Sequence, residues 1–485
     1  MTYRELLQTS GSLAAGMAAQ GVRSGDRVAL LLGNRNEFVV VLFALARLGA
    51  VAVPVSIREQ GPGLAYMLSH CGAVMVFHED DLTDRLPTTH DAPLLRVRVC
   101  MGSCAGSLPY GALLSSAPPT AVEAVNEEDV AAILYTSGTT GKPKGAMLTH
   151  LGIVHSSMHY QVAMGLGPQD VSVAAVPLSH VTGLVALITT MVRAAGKLVI
   201  MPAFKAAEFL RIADRERITH TLMVPAMYNL CLIEPAFRQA DLTAWRVGAY
   251  GGAPMPVASI EALAEVVPSL VLMNCYGATE TTSPATLMPQ GETANHNDTV
   301  GAALHCAEMC VMDENGRELP PGELGEIWIK GPMVVKGYWD NPQATAENIT
   351  GGFWRSGDLG TIDAQGYVRV MDRKKDMINR GGYKIYTTEV ENTLYAHEAV
   401  LECAVVAKPC PVLGERVHAF VSLRHAVTAA ELRAFCVPRL SDYKVPESFT
   451  LSAEPLPRNA NGKLLKRAMR DQVIAQFAKP TEKSV

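Results

Sequence analysis

Between residues 27 and 274, short apolar runs with the length of buried strands alternate with segments of helical period, and this alternation restricts the fold more than any other feature. The strand runs are 27–32, 51–55, 131–134, 171–176, 197–201, 219–224, 246–250 and 270–274, while 3–21 and 36–48 carry helical patterns. Strands that are apolar on both faces and separated by helices pack as mostly parallel sheets covered on both sides. The signals change after residue 301. Shorter alternating strands at 325–330 and 367–371, with turns at Pro320-Pro321-Gly322 and Asp363-Ala364-Gln365-Gly366, suggest a small β-rich subdomain. Beyond Asp372, a basic, glycine-containing connector leads into a compact α+β unit whose helix begins near Thr388 and whose strand covers 401–406. The expected class is α/β: a large amino-terminal domain of mostly parallel sheets covered by helices, a small β-rich subdomain, and a small α+β carboxy-terminal domain.

Composition narrows the function. With 48% apolar and 18% charged residues, the 485-residue chain can bury large sheets in several domains. A net charge of −5 argues against a nucleic-acid binder or an anionic-membrane binder, both of which need a basic stripe. The most apolar stretches, 39–55 and 171–200, are interrupted by Arg47, His180, Arg193, Lys197 and prolines, so they read as core and not as membrane spans. Met1-Thr2-Tyr3-Arg4-Glu5 lacks the apolar core of a secretory leader, and ten scattered cysteines suit reduced thiols; a cytoplasmic location is expected. His305-Cys306 with Cys310 is a partial metal-ligand set, but it lies in the strand-like run 300–313 and has no second cluster at ligand spacing. It reads as a core strand ending at the Glu314-Asn315-Gly316 turn.

The strand run 131–134 leads directly into Tyr135-Thr136-Ser137-Gly138-Thr139-Thr140-Gly141-Lys142-Pro143-Lys144-Gly145. Glycines free the backbone to curl, hydroxyls and amide N–H groups donate to phosphate oxygens, and lysines add positive charge, which makes a polyphosphate cradle. The spacing is not that of a P-loop, since only two residues separate Gly138 from Gly141 and Pro143 follows Lys142. Further motifs occur in order: Gly251-Gly252-Ala253-Pro254, Tyr276-Gly277-Ala278-Thr279-Glu280, Arg355-Ser356-Gly357-Asp358, Asp372-Arg373-Lys374-Lys375-Asp376, Gly381-Gly382-Tyr383-Lys384, and Pro457-Arg458-Asn459-Ala460-Asn461-Gly462-Lys463. This series resembles the adenylate-forming superfamily of acyl-CoA synthetases, luciferases and peptide-synthetase adenylation domains, and its acyl-CoA synthetase branch in particular.

The resemblance implies residues 1–374 as an adenylation core, residues 375–485 as a lid, and a hinge at Lys375. It implies that Thr136, Ser137, Gly138, Thr139 and Thr140 with Lys144 hold the β- and γ-phosphates of ATP. Thr279 contacts the α-phosphate, and Glu280 holds Mg²⁺, a hard cation suited to a carboxylate plus phosphate oxygens. Tyr276 and Gly277 lie on one side of adenine, Gly252, Ala253 and Pro254 form the opposite wall, and Asp358 with Arg373 binds the ribose hydroxyls. Lys463 bridges carboxylate and phosphate during adenylation, so that Lys463, Glu280, Thr136 and His180 make up the catalytic set. Gly381, Gly382, Tyr383 and Lys384 line the coenzyme A channel in the second step; for Lys384 an ordinary solvent-facing lysine is an equal reading. The acid pocket implied by matched segments comprises His180, Thr182, Tyr228, Gly251, Cys275, Gly277 and Thr282. Ser179 stands where the family usually has an aromatic, and Asn459 and Asn461 stand where it often has Thr and Ser.

The function these expectations imply is an ATP-dependent carboxylic acid–CoA ligase that forms AMP by way of an acyl-adenylate. The partners implied are a small carboxylic acid, ATP and CoA, and a homodimer is compatible with them. The alternative is a stand-alone adenylation enzyme that loads an acyl group onto a carrier protein. The 179–182 segment holds no acidic group to pair with an amino-acid ammonium, and neither the His180 nor the Tyr276 segment holds an arginine for a second carboxylate; an apolar acid, fatty or aryl, is favoured. Pro457 and Gly462-Lys463 form Pro-x4-Gly-Lys, similar to a pattern read by lysine acetyltransferases in bacterial relatives, which would make Lys463 a target of acetylation and deacetylation. A strand end followed by a turn explains the same residues equally well.

Overall fold

The computed structural model describes residues 1–114, 122–136, 142–458 and 464–478. The chain forms two compact units. The first comprises Met1–Met255, Ser259–Met309 and Ile329–Arg355; the second comprises Pro256–Ala258, Cys310–Trp328 and the chain from Ser356 onward.

The first unit is built on two seven-stranded sheets. One contains β1 (Arg27–Leu31), β2 (Val51–Pro54), β3 (Ala73–His78), β4 (Val97–Cys100), β5 (Leu108–Pro109), β6 (Val130–Thr136) and β7 (Lys144–Thr149), in the order β5-β4-β3-β1-β2-β6-β7. All neighbours are parallel except β6 and β7, an antiparallel pair in which Thr136 faces Lys144. The other sheet contains β8 (Val171–Ala174), β9 (Lys197–Ile200), β10 (His220–Met223), β11 (Val247–Gly251), β12 (Val271–Tyr276), β13 (Thr286–Leu287) and β14 (Ala302–Ala303), in the order β14-β13-β12-β11-β10-β8-β9. The β14–β13 and β13–β12 pairings are antiparallel and the rest are parallel.

The near-continuous apolar strands follow from burial on both faces. Val28 and Leu30 of β1 enter a core shared with Val173, Leu222, Ala249 and Leu272 of the second sheet, while Ala29 and Leu31 point the other way, into a core with Val53, Leu68 and Ile133. A period of two thus divides one short strand between two interiors. Helix Tyr3–Ala19 starts at a capping box between Thr2 and Glu5, and helix Asn36–Leu48 stops at Gly49, whose φ of 63° is a left-handed cap that favours glycine.

A third sheet orders β15 (Glu308–Met312), β16 (Gly325–Lys330), β18 (Phe353–Ile362) and β17 (Ile349–Thr350), with β19 (Val368–Arg373) pairing β18. The second unit continues with β20 (Ile378–Arg380), β21 (Tyr383–Ile385), β22 (Val400–Cys410), β23 (Gly414–Leu423) and β24 (Ser448–Ser452), ordered β21-β20-β23-β22 with β24 on β23. Helices Thr387–Tyr395 and Ala429–Cys436 bury Val390, Leu394 and Leu432 against this sheet, and Met469 and Val473 of helix Lys466–Ala478 pack with Ala404, Val406 and Phe420.

The mostly parallel architecture expected from the alternation is present, but three local readings need correction. The run 300–313 is not one strand: a turn at His305-Cys306, with Cys306 at φ 65°, separates β14 from β15. The segment read as a phosphate cradle through Gly145 gives way to a strand at Lys144, where β7 begins and pairs with β6. The strand expected at 401–406 runs through Cys410 because β23 pairs along its whole length. Among the described residues, no helix is long and apolar enough to cross a membrane.

Candidate active site

In the first unit, β6 and β7 deliver Thr136 and Lys144 as a facing pair on either side of the loop that connects them. The expected phosphate ligands Ser137, Gly138, Thr139 and Thr140 lie in that loop, outside the described residues. Thr136 Oγ1 donates to Glu280 Oε1 at 3.2 Å, and the Tyr338 hydroxyl donates to the same oxygen at 3.0 Å. Lys144 Nζ lies 5.1 Å from the centre of the Tyr338 ring. Tyr338 reaches this position because its segment pairs with β7: Ala146 and Tyr338 form a bridge, and the Trp339 N–H donates to Gly145 O at 2.7 Å. Burial and the adjacent Glu280 carboxylate push the Tyr338 hydroxyl well above the ordinary tyrosine range, so it remains a donor.

Glu280 sits in the single turn Thr279–Thr281 that follows β12, and the surrounding bonds leave this turn little freedom. The Ala278 N–H donates to Thr281 Oγ1 at 2.9 Å, Thr282 Oγ1 donates to Met333 O at 2.6 Å, the Val335 N–H donates to Glu280 O at 2.9 Å, and Ser283 Oγ shares a 2.8 Å hydrogen bond with Tyr160. Thr282 and Ser283 take φ values of 49° and 90°, a costly conformation for non-glycine residues that these contacts hold in place. Gly277 admits no side chain, because a Cβ there would lie 1.6 Å from Ser283 O.

Gly251 and Cys275 are register partners at the carboxyl ends of β11 and β12. Tyr276 and the segment Gly252-Ala253-Pro254 therefore leave neighbouring strands at the edge where open α/β sheets bind ligands. Gly251 is needed there, since a Cβ would meet Cys275 O at 2.3 Å.

His180 follows β8 in an irregular loop. Thr182 Oγ1 lies 3.3 Å from His180 Nδ1 and the Thr182 N–H donates to the same atom at 3.4 Å, which makes Nδ1 an acceptor and puts the ring proton on Nε2. Asn34, beyond β1, anchors this loop: its Oδ1 accepts from Leu178 N–H at 2.8 Å, and its Nδ2 reaches the carbonyls of Ala174, Val176 and Met201 at 3.3, 2.9 and 3.0 Å. A π-helix, Thr182–Thr189, then runs back into the core, and wide turns of this kind recur at functional sites. Gly183 makes its entry feasible, because a Cβ would stand 2.2 Å from Pro177 O.

The remaining acid-pocket candidates are buried and engaged. Tyr228 is fully buried, donates to Ala249 O at 2.7 Å, shares a 2.9 Å bond with Thr221 Oγ1, and stacks on Trp245. Cys275 is buried, and loss of solvation holds its thiol protonated.

In the second unit, β18 and β19 pair Asp358 with Arg373, and Arg373 Nε lies 3.2 Å from the buried Asp358 carboxylate. Ser356 Oγ donates to Ile327 O at 2.6 Å and accepts from Asp358 N–H at 3.0 Å, which sets the bend. Lys375 is exposed in the turn between β19 and β20. Gly381 and Gly382, with φ values of 60° and 94°, form the two-residue connection of the β20–β21 hairpin, where both positions must be left-handed. Tyr383, 58% exposed, stacks on Tyr443 at 4.6 Å, and Lys384 faces outward. Lys463 lies outside the described residues.

Two contributors escaped the sequence reading. Tyr338 sits in Gly337-Tyr338-Trp339, far from any charged motif, and Asn34 lies in a short strand-to-helix connection; neither carries a local signal, because each acts through contacts more than fifty residues away in the chain.

The AMP-binding enzyme family model matches residues 1–339, and the AMP-binding enzyme C-terminal domain model matches 389–463. A feruloyl-CoA synthase from Amycolatopsis sp is 35% identical over 97% of the chain and 93% of the relative. A long-chain-fatty-acid–CoA ligase, FadD13, from Mycobacterium tuberculosis is 32% identical over 99% and 94%. Among solved structures, o-succinylbenzoate CoA synthetase from Bacillus subtilis in complex with its acyl-adenylate intermediate superposes with a TM-score of 0.86 at 30% identity, covering 97% of this chain and 93% of that one. The same Bacillus protein with ATP and a magnesium ion gives a TM-score of 0.84 at 30% identity, covering 96% and 93%.

Proposed function

Taking as premise that the chain belongs to the AMP-binding enzyme family and is an acid–thiol ligase of its acyl-CoA synthetase branch, we propose that its acid is apolar, aliphatic or aryl, and that Glu280 organises adenylation. A carboxylate is a poor electrophile, so its oxygen first attacks the α-phosphorus of ATP and pyrophosphate departs. The thiol of CoA then attacks the acyl carbon, and AMP leaves. Each step needs donors aimed at developing charge.

The observation that carries the assignment is the convergence of Thr136 and Tyr338 on Glu280 at the mouth of the β6–β7 pair. Both donors are neutral hydroxyls, so they orient the carboxylate without cancelling its charge. That suits a hard cation, which takes one carboxylate and phosphate oxygens; Glu280 would hold Mg²⁺, and the ion would supply charge neutralisation for the polyphosphate. Lys144 and Thr136, with Ser137 to Thr140, would hold the β- and γ-phosphates, Thr279 the α-phosphate, and Tyr276 with Gly252-Ala253-Pro254 the adenine. Asp358 and Arg373 would take the ribose. His180, with its proton on Nε2, can donate to the acid carboxylate, and Gly251, Gly277 and Thr282 would shape the pocket. Tyr228 and Cys275 act from within the core, the first by fixing β10 to β11.

Lys463 would bridge acid and phosphate during adenylation, and rotation about Lys375 would bring Gly381–Lys384 to the site for thiolation. A cytoplasmic location and regulation by acetylation of Lys463 complete the proposal. A panel of aliphatic, aryl and dicarboxylic acids, scored for pyrophosphate release and for acyl transfer to CoA or to a phosphopantetheinylated carrier protein, tests it. Apolar acids with CoA should give AMP. ADP as product, a dicarboxylate as best substrate, or transfer to the carrier alone would overturn it. Lys463→Ala should lose adenylation yet convert supplied acyl-adenylate; equal loss of both steps in a folded variant would refute the lid exchange.

A further inference from the structure

At the far side of the first sheet, three groups that the ligase chemistry does not use come together. Asp80 opens the short 3-10 helix Asp80–Arg85 after β3, Cys100 ends β4, and Cys104 lies in the loop beyond. One carboxylate oxygen and the two sulfurs all lie within 4.8 Å of one another, the one grouping of three ligand-type side chains of this kind among the described residues. We propose that Asp80, Cys100 and Cys104 form a binding site for a thiophilic divalent cation, with Zn²⁺ as the type.

The fold assembles the set before any ion is present. Parallel pairing of β3 with β4 puts His78 opposite Cys100, so the chain segments leaving both strands run together. Asp80 Oδ1 accepts from Gly102 N–H at 2.7 Å, which holds the carboxylate over the Cys100–Cys104 loop. Gly102 leaves room for this approach: a Cβ there would lie 2.1 Å from Asp80 Oδ2 and would push the carboxylate aside. Cys104 Sγ also lies 3.9 Å from Asp80 O. A ligating carboxylate oriented by a backbone donor is the usual outer-sphere arrangement of a metal site. His78 is not a fourth ligand, since its ring nitrogens are engaged by Glu79 O and Ser107 Oγ, both at 2.9 Å.

Two sulfurs and one oxygen match zinc-type coordination, with bonds of about 2.3 Å to sulfur and a fourth position for water. Magnesium and calcium would decline the thiolates. Cys100 is buried and Cys104 half-buried, so an ion enters from the Cys104 side. Each cysteine that ligates as a thiolate exchanges its S–H bond for a metal–sulfur bond, and that proton goes to the buffer.

The test uses the full-length, reduced protein and Cd²⁺ as an optical stand-in for Zn²⁺. The expected result is a saturable near-ultraviolet thiolate-to-metal band at one ion per chain, displaced by Zn²⁺. Cys104→Ser, at the more accessible position, should abolish that stoichiometric band with the circular dichroism unchanged. Asp80→Asn should weaken affinity by about tenfold or more. Cys306→Ser, which removes an exposed thiol elsewhere, should leave binding intact. Absence of saturable binding, a band that survives Cys104→Ser, or a Cys100–Cys104 disulfide in protein purified under reducing conditions would overturn the proposal.

Discussion

Tyr338→Phe isolates the hydroxyl that holds Glu280. The ring stays, so its packing and its contact with Lys144 Nζ at 5.1 Å persist, while the 3.0 Å bond to Glu280 Oε1 is removed. A hydrogen bond to a charged acceptor contributes roughly 1.5–3 kcal/mol. Thr136 donates to the same oxygen at 3.2 Å and retains partial control of the carboxylate, so the lower half of that range applies. At about 1.4 kcal/mol per tenfold, kcat/KM for pyrophosphate formation should fall about 10- to 40-fold. Thr136→Val should behave alike, and the double variant should lose more than the product of the singles, because the last donor is then gone. The assay is continuous pyrophosphate release at saturating and limiting Mg²⁺, with a larger defect expected at limiting Mg²⁺. Wild-type kcat/KM in Tyr338→Phe, or a defect independent of Mg²⁺ in a variant with an unchanged melting curve, would refute the reasoning.

Lys466→Met should destabilise the second unit by about 3–5 kcal/mol in urea unfolding, because Lys466 Nζ pairs with Glu391 at 2.7 Å and leaves a buried carboxylate behind when removed. A Lys466→Met/Glu391→Leu double variant should recover much of that loss; strict additivity would contradict the pairing. Gly277→Ala should cut adenylation by more than about tenfold, since its Cβ would lie 1.6 Å from Ser283 O and displace the Glu280 turn; full activity would contradict the close approach. Burial pushes the His220 imidazole down to about 4, below its unfolded value near 6.5, so the unfolded chain binds the extra proton and stability is lost as pH falls from about 6.5 toward 4. That loss amounts to about 3 kcal/mol, and His220→Phe should remove this share of the dependence in equilibrium unfolding at stepped pH, leaving the shares of His159 and His418, which burial also pushes down to about 4.

Much of the fold was legible because the strands are buried on both faces. Where Val28 and Leu30 face one core and Ala29 and Leu31 another, the chain has no polar positions to vary, and the run announces itself. Strand β7 is hidden because the glycine-rich motif runs on to Gly145 and masks a strand start at Lys144 whose pairing depends on β6. At 300–313 the break was invisible, since Cys306 adopts a left-handed φ without the glycine or asparagine that usually marks one. The glycines of the Gly381-Gly382 pair have a sufficient local reason in the hairpin turn, independent of any ligand. Tyr338 and Asn34 were illegible for a deeper reason: a side chain whose partners are supplied by another sheet leaves no periodic trace.

On the proposed reading, Asn34 would also bear on how an acid is received. Residues 175–180 have no strand or helix of their own, yet a single amide holds this stretch at Val176 and Leu178 and ties it to Ala174 at the end of β8 and to Met201 beyond β9. A loop tied in this way gives up little conformational entropy when a ligand arrives, so contact with an incoming acid is not offset by the cost of ordering the loop. Discrimination among acids on the His180 side would then rest on fit to a preset contour, and Asn34→Ala would convert part of that fit into a penalty that rises with temperature.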